Sequence, residues 1–356
     1  DTGDVLVENT PGGELQVKEA VRKYHEKYPM HITRMFGSYI LLAGEPLRAV
    51  HATPIPIKYC PLMRKLLNEV GGETAQRLLE TLEGSSEDEQ RQLMCRLINE
   101  VVIDGGYFDT KRPLNSCEAN VLFGASEMLF SAFRSGHIDA AVIVSNNLGT
   151  IITTTAEATQ GAVKRMTGLF YTSPARDIME TAEKENIIPV FPYTARIDQI
   201  AGLEEALERG YRRVAVSLAS HDNRLWGEVE NLAEKYGAEV YRLGLCSTGI
   251  AEETAAQMQK YSDIIWSCAS KAVKEYIEPK AIAQVGLKIP VYIMTERGWK
   301  LASNHLGVMQ GIQNFGEDTV LASGENRPVF LNGQDGIRKV MKKELLPCSD
   351  CPTPCI

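Results

Sequence analysis

The sequence predicts an α/β protein with a mostly parallel, doubly wound sheet, a small N-terminal α+β unit and a helical insertion. From about residue 106 onward, short β-branched runs alternate with amphipathic helical segments, which indicates a parallel sheet covered on both faces. The chain is also large enough for this fold, because 356 residues with 44% hydrophobic content can fill a sizeable core.

The sequence pattern divides the chain into four parts. Near the start, a helix in "LQVKEAVRKYHEKY" precedes apolar runs separated by Gly44 and Pro46, which predict short antiparallel strands. Helical periodicity follows, with Ser85 and Ser86 as capping candidates. The predicted parts are an α+β unit at 1–61, a helical segment at 62–105, an α/β core at 106–345 and a cysteine-rich tail at 346–356.

The core elements follow in chain order. A helix in "EANVLFGASEMLFSAFRSG" precedes the strand "DAAVIVS", a helical stretch near 155–166 and the helix "ARDIMETAEKEN". Four strand–helix units begin at "IIPVF", "RRVAVSL", "AEVYRLGL" and "DIIWSC", and the strand "IPVYIM" precedes the helix "ERGWKLASNHLGVMQGI". This order favours a Rossmann-like sheet. It lacks both standard nucleotide fingerprints, G-x-G-x-x-G and G-x-x-x-x-G-K-[ST].

Charge and hydropathy limit the partners. The chain has 38 basic and 46 acidic side chains, a net charge of −8, which speaks against nucleic acid as a partner. The longest apolar stretch, "IDAAVIVSNNLGTII", reaches Asn146 and Asn147 after about seven residues, whereas a bilayer span needs roughly 20. No basic-then-apolar signal segment opens the sequence. We therefore expect a cytoplasmic protein without a membrane partner.

Three cysteines stand close together in the tail "LPCSDCPTPCI". Cys348, Cys351 and Cys355 form C-x2-C-x3-C, and the prolines between them stiffen the loop. Because a reducing cytosol disfavours structural disulfides, this spacing predicts a metal centre: an iron–sulfur cluster, most simply 4Fe-4S, or zinc as the alternative. A fourth ligand would come from elsewhere in the chain or from a partner. A redox pair and an unligated tail remain open as alternatives.

A ligand site is expected where the carboxyl ends of the parallel strands meet, because ligands of such sheets bind there. The stretches that follow the predicted strands include "SNNLGT", "PYTARID", "CSTGI" and "SCASK". Backbone N–H groups at helix starts in these stretches suit an anionic ligand, although ordinary N-capping explains each one singly. The candidate ligand-binding residues are Asn146, Asn147, Thr150, Thr248, Gly249 and Ser270.

Three charged residues are candidates for catalysis at the same edge. Arg196 suits a bidentate grip on a carboxylate or phosphate, and Asp198 suits orientation or proton transfer. Equally, Asp198 caps the next helix and Arg196 pairs with a surface acid. Lys271 either neutralises an anion or faces solvent. The six histidines show no H-x-x-x-H or H-E-x-x-H spacing, which argues against a histidine-based zinc hydrolase.

The scattered cysteines suggest a second cluster near that edge. Cys246 and Cys268 follow predicted neighbouring strands, and Cys60 follows the last strand of the N-terminal unit, with Cys117 as its substitute. These thiolates would form a three-cysteine site if folding brings them within roughly 6–7 Å of one another. Plain core packing is the alternative for Cys268, and it is the favoured interpretation for Cys95 within its amphipathic helix.

Several stretches resemble a known family. "IKYCPL", "FGASEML", "IDAAVIVSNNLGTIITT", "TARIDQIAGLEEALERGYRRVAVSLA", "STGIAEE" and "DIIWSCASK", in this order, are similar to the methanogenesis marker protein 8 family of methane-metabolising archaea, with relatives in anaerobic bacteria. The resemblance covers most of residues 30–275 and implies a role in anaerobic one-carbon or sulfur metabolism. Anaerobes use iron–sulfur clusters freely, so it also favours such chemistry here.

Two hypotheses of different kinds follow for the function. In the first, the protein is an iron–sulfur enzyme, or a factor that assists maturation of a metalloenzyme, acting on a small anionic substrate at the strand-end crevice. In the second, it is a non-catalytic docking partner whose tail holds zinc or a cluster only to fix a surface. The expected macromolecular partners are a metalloenzyme, a redox protein or a second copy of this chain.

Overall fold

The computed structural model describes the chain in parts. The described residues are 20–55 except 22 and 26, residue 73, and 86–310 except 120, 122, 164–167, 220–224, 269 and 286–289, together with the backbone of 320–322, 327–333 and 336–342. The predicted tail at 346–356, Cys60 and most of the helical segment before residue 86 lie outside these residues.

Helices are numbered here along the described chain. The α-helices are α1 (Glu87–Ile98), α2 (Ala125–Arg134), α3 (Ala156–Val163), α4 (Arg176–Lys184), α5 (Gln199–Glu208), α6 (Leu225–Tyr236), α7 (Glu252–Tyr261) and α8 (Glu296–Gln310). A π-helical turn at Asn99–Ile103 extends α1, and another at Val273–Ile277 stands where the sequence predicts an α-helix. The start of α1 confirms one capping candidate, because Ser86 and Glu89 form a reciprocal capping box.

The strands form two sheets. The strands are β1 (Met30–Met35), β2 (Ser38–Ala43), β3 (Arg48–Ala52), β4 (Ala140–Ser145), β5 (Gly149–Thr153), β6 (Gly168–Thr172), β7 (Ile188–Pro189), β8 (Arg213–Ala219), β9 (Glu239–Leu245), β10 (Ile264–Trp266), β11 (Ala283–Val285), β12 (Val291–Ile293), β13 (Val320–Ala322), β14 (Arg327–Gly333) and β15 (Gly336–Lys342). The large sheet has the order β15-β14-β13-β11-β12-β10-β9-β8-β4-β5-β7.

The large sheet is mixed, with parallel strands at its centre. Strands β4, β8, β9 and β10 are mutually parallel neighbours, and the remaining described pairs are antiparallel. The predicted α/β class is confirmed. The sheet is not mostly parallel as predicted, because parallel pairing is limited to these four central strands. The chain turns back after β4 instead of crossing over, because Asn147 (φ 64°) and Gly149 (φ 68°) take up the left-handed conformation of a tight hairpin turn.

Both faces of the central strands are buried. Ala140 and Val142 of β4 belong to one hydrophobic core, and Ala141 and Ile143 belong to the core on the opposite face. This explains why the strand reads as a continuous apolar run instead of an alternating one. In the described residues, no helix is long and apolar enough to cross a bilayer.

The small sheet takes its fourth strand from the core. Its order is β3-β2-β1-β6, and β6 pairs antiparallel with β1, with His31 opposite Thr172 and Arg34 opposite Gly168. Helix α1 packs on one face of this sheet, where Met94 contributes to a core with apolar residues of β2. The N-terminal unit predicted at 1–61 is therefore completed by a strand more than a hundred residues later, which ties it to the large sheet.

Candidate functional site

Strands β1 and β6 lie against the carboxyl ends of the parallel strands. At one end, the backbone N–H of Asn147, after β4, donates to the Thr172 hydroxyl of β6 at 2.7 Å. At the other end, Gly168 of β6 lies against Cys246, after β9. A Cβ built on Gly168 would stand only 2.7 Å from the Cys246 Sγ, so the close approach requires glycine. We call this contact between the two sheets the strand-end junction.

Two cysteines lie at the β9–β10 end of the junction. Cys246 directly follows β9, and Cys268 follows β10, the neighbouring parallel strand. Their backbones are left-handed, with φ of 58° and 44°, a conformation that is uncommon for residues with a Cβ and that clusters at functional sites. Between them, the Ser247 hydroxyl lies within hydrogen-bonding distance of two carbonyls, those of Trp266 (2.6 Å) and Ser267 (2.7 Å), and shares its one proton between them. These bonds hold the two turns side by side.

The surroundings keep both thiols protonated. Burial, with a smaller contribution from nearby Cys268, raises the pKa of Cys246 to about 12, while Arg34 opposes the shift. Burial also raises the pKa of Cys268, against hydrogen bonds from Ser247 and Thr248 and the charge of Arg34. Thiols of this kind become thiolates when a metal ion displaces the proton. The pair therefore suits metal binding better than nucleophilic attack.

Arg34 brings a positive charge from the small sheet to the two thiols. It stands on β1 opposite Gly168, its Nε donates to the Gly37 carbonyl at 3.4 Å, and its guanidinium lies 5.0 Å from the centre of the Tyr39 ring. Its positive charge acts to lower the pKa of both the Cys246 and the Cys268 thiol, against the effect of burial. Arg34 is therefore placed to offset negative charge on thiolates or on a bound anion.

Of the other predicted metal ligands, Cys117 lies within the described residues, and it is not grouped with this pair. Cys117 is exposed, and Cys95 packs beside the core of the small sheet, where burial raises its thiol pKa to about 11. Cys60 and the tail cysteines Cys348, Cys351 and Cys355 lie outside the described residues. Within those residues, no group of three or more His, Cys, Asp or Glu side chains is placed to hold a metal. The described structure therefore contains two neighbouring thiols at this end of the junction.

A polar cluster occupies the β4 end of the junction. Asn146 and Asn147, predicted to bind a ligand, form the turn between β4 and β5 and are 1% and 3% exposed. Arg112 reaches into this turn, where its Nη2 donates to the Asn146 carbonyl at 2.5 Å. His31 of β1 completes the cluster, with its Nδ1 2.7 Å from the Thr172 hydroxyl. The sequence reasoning missed Arg112 and His31, because neither belongs to a strand-end stretch.

His31 makes the stability of the fold depend on pH. Burial, with a contribution from the charge of Arg112, lowers the pKa of His31 from 6.5 to about 3. As pH falls below about 6.5, His31 binds a proton in the unfolded chain but not in the folded chain. The free energy of unfolding therefore falls by about 1.4 kcal/mol per pH unit, down to about pH 3.

We therefore expect about 2 kcal/mol of stability from His31 to disappear between pH 7.5 and pH 5. Denaturant titrations of the wild type and of His31→Gln at both pH values measure this loss, because the glutamine variant lacks the titrating ring. The wild type should lose more stability than the variant by that amount. Equal losses in the two proteins would contradict the assignment.

The candidates Arg196, Asp198 and Thr150 lie at the same sheet edge, beyond β4 on the side away from the thiols. Asp198 is the N-cap of α5, accepting from the Ala201 N–H at 3.0 Å, and it pairs with Arg196. Thr150 donates to Gln199 and accepts from the Asp198 N–H, both within 2.8 Å. The capping alternative thus accounts for Asp198, and Arg196 remains an exposed arginine with a local partner.

Of the candidates after β9 and β10, Ser270 and Lys271 have ordinary local roles, whereas Thr248 lies beside the thiols. Ser270 caps the turn that follows, accepting from the Val273 N–H at 3.2 Å. Lys271 is 63% exposed and lies 3.6 Å from Glu275, as expected for a solvent-facing side chain. Thr248 is closest to the thiols, since its hydroxyl bonds to Cys268, and Gly249 follows it in the left-handed conformation.

The fold and the junction define a mixed α/β protein whose two sheets meet over a pair of cysteines and a polar turn. Residues 31–307 match the family described as "Uncharacterized protein conserved in archaea (DUF2099)". The chain is also 31% identical to "Uncharacterized protein MJ0054" of Methanocaldococcus jannaschii over 290 residues, 81% of this chain and 92% of that protein. The chain therefore belongs to this archaeal family. The matched range includes both ends of the strand-end junction and excludes the tail.

Proposed function

We propose that the protein binds an iron–sulfur cluster through Cys246 and Cys268 and acts on a small anionic substrate at the strand-end junction. The observation that supports this best is the meeting of the two thiols beside Arg34. Paired thiols that stay protonated until a metal arrives are suited to soft metals and clusters. A neighbouring guanidinium favours both the thiolate-held centre and a substrate anion.

Cys60 is our candidate for the third thiolate. It follows β3 in the chain and so belongs to the part of the sequence that supplies the small sheet, whereas Cys117 is exposed. Three protein thiolates would suit a 4Fe-4S cluster, with zinc as the alternative metal. Such a cluster would supply a Lewis acid at its open iron. The protein's own part would be to orient the substrate anion with Arg34.

The biological setting belongs to the same proposal. Membership of an archaeal family with a relative in Methanocaldococcus jannaschii supports the resemblance to methanogenesis marker protein 8 and a role in anaerobic one-carbon or sulfur metabolism. We propose a cytoplasmic location, a Rossmann-like origin for the parallel centre of the sheet, and a metalloenzyme, a redox protein or a second copy of this chain as partner. Assistance in maturing a metalloenzyme is an equivalent use of the same centre.

Metal analysis after anaerobic purification tests the cluster. We expect Cys246→Ser and Cys268→Ser to lose most of the iron and sulfide that the wild-type junction binds, because each removes one of two adjacent ligands. Cys117→Ser is the matched control, since that thiol is exposed and should not alter the metal content. Equal iron, sulfide and zinc in all four proteins would overturn the proposal. Zinc in place of iron would support the site and change the metal.

A separate truncation tests the tail. If Cys348, Cys351 and Cys355 bind a second centre, a chain ending at Pro347 should lose part of its metal while Cys246 and Cys268 keep theirs. Complete loss on truncation, with no effect of Cys246→Ser or Cys268→Ser, would instead favour the docking role with a structural metal. Unchanged metal after truncation would exclude the tail as a metal site.

A further inference from the structure

The β4 end of the junction contains two buried acceptors that the described chain leaves without a hydrogen-bond partner. These are the side-chain oxygens of Asn146 and Asn147, in residues 1% and 3% exposed. The orientation of both amides is fixed, because the Asn146 Nδ2 donates to the Tyr107 carbonyl (2.9 Å) and the Asn147 Nδ2 donates to the Ser173 carbonyl (3.1 Å). A flip would place an oxygen against each carbonyl, so the unpartnered atoms are acceptors.

The two unpartnered amide oxygens would be stabilised by a hydrogen-bond donor. A buried polar atom without a partner costs about 1–3 kcal/mol, and here two such atoms lie on adjacent residues. The turn that presents them also has a left-handed Asn147. Asparagine tolerates the left-handed conformation better than most residues, but the conformation still costs free energy, and it does so in the same turn as the two unpartnered oxygens. Both amide oxygens of the turn can therefore accept from a donor group of a ligand.

The same cluster contains an arginine that forms no direct ion pair within the described residues. Arg112 donates to three uncharged oxygens, the Asp109 carbonyl (3.0 Å), the Ser145 hydroxyl (3.4 Å) and the Asn146 carbonyl (2.5 Å). Burial lowers its pKa to about 10, and the charge of the Asp109 carboxylate, which makes no direct contact with it, opposes this shift. Burial, with the charge of Arg112, lowers the pKa of neighbouring His31 to about 3, so His31 adds no positive charge to the cluster near neutral pH. The guanidinium is therefore available to one anionic group.

We infer that Arg112, Asn146 and Asn147 bind a small carboxylate that has a hydroxyl or amino group on the adjacent carbon. The carboxylate would pair with Arg112, and the hydroxyl or amino group would donate to the amide oxygens. A single cation matches the single charge of a carboxylate better than the double charge of a phosphate. This inference is independent of the proposed cluster. It adds a ligand site at the β4 end of the junction, the end opposite the two thiols and Arg34.

Ligand titrations of the full chain test the inference. The probes are glycolate and glycine, which have both groups, acetate, which lacks the donor, and inorganic phosphate, all at equal ionic strength. We expect glycolate or glycine to raise the melting temperature and to bind at least about ten-fold more tightly than acetate, because one missing donor leaves the buried acceptors unpaired. Phosphate should give no more shift than sodium chloride.

Three variants complete the test. Arg112→Gln should weaken glycolate about ten-fold or more, and Asn146→Asp should abolish glycolate binding by repelling its carboxylate. Arg209→Gln is the control, because that exposed arginine pairs with Glu205 on α5 and should bind like the wild type. Near-ultraviolet circular dichroism of each variant reports whether the fold is kept.

Equal binding of acetate and glycolate, or glycolate binding unchanged by both site variants, would overturn the inference, as would a crystal structure at saturating glycolate with only water against the two amide oxygens. The iron content of the same samples separates this failure from failure of the proposed function, since Arg112→Gln leaves both cysteines intact.

Discussion

Asp263→Ala is expected to lower the free energy of unfolding by about 3–5 kcal/mol, because it leaves three donors in or beside the core without their acceptor. The Asp263 carboxylate is fully buried and accepts from the Arg242 N–H (2.8 Å), the Thr295 hydroxyl (2.6 Å) and the Arg297 Nε (3.1 Å). Alanine would leave all three donors unpaired within or beside the core. Denaturant titration followed by circular dichroism measures the change.

Glu180→Ala is the control for this prediction. Glu180 also pairs with an arginine, Arg176, at 2.9 Å, but both side chains are largely exposed, so its loss should cost less than about 0.5 kcal/mol. Similar midpoints for the two variants would contradict the role assigned to Asp263. Because Asp263 precedes β10 whereas Cys268 follows it, the folded fraction of Asp263→Ala should keep the metal content of the wild type.

Gly161→Ala is expected to destabilise the fold by about 3 kcal/mol, although alanine is normally the better helix former. Gly161 lies within α3, where a Cβ would stand 2.2 Å from the Leu114 carbonyl carbon and 2.3 Å from the Asn115 nitrogen. These are backbone atoms, so the loop before α2 would have to move away from the helix. The melting temperature and the denaturation midpoint should both fall.

Gly227→Ala is the matched substitution with the opposite sign. Gly227 lies in α6, and a Cβ there would meet no atom of the described chain within 4 Å. The change should therefore stabilise the protein by up to about 1 kcal/mol, through helix propensity alone. If both substitutions stabilised, the close packing of α3 on the loop would be refuted.

The sequence predicts the parallel centre of the large sheet well. The runs that become β4, β8, β9 and β10 are short, apolar and β-branched, and their burial on both faces leaves a clear pattern. The strand β5 was missed, although "SNNLGT" between two β-branched runs is a hairpin signal of Asn and Gly. The sequence analysis also predicts no strand at β6, β11, β13, β14 or β15. For β11 and β13 the reason is length, because three residues are too few to show a period.

The residues of the candidate site were likewise predictable only where a local sequence pattern marks them. Cys246 and Cys268 were predictable as neighbours because both end parallel strands, and the order of such strands follows from simple chain connections. Arg34 and His31 were not, because they reach the site through the pairing of β1 with β6, a contact between distant parts of the chain. Arg112 was not, because it reaches the turn after β4 from a loop 34 residues before Asn146. No local pattern records such a pairing, since period and propensity describe only neighbours along the sequence.

The pairing of β1 with β6 also sets an order of events during synthesis. His31 and Thr172 meet across 141 positions, so the small sheet keeps an open edge on β1 until the ribosome has released the residues of β6. Contacts of such long range slow folding, because a large loop must close before they form. The nascent chain would thus expose a half-finished sheet for much of its translation, and a chaperone that shields the β1 edge would have its greatest effect in that interval.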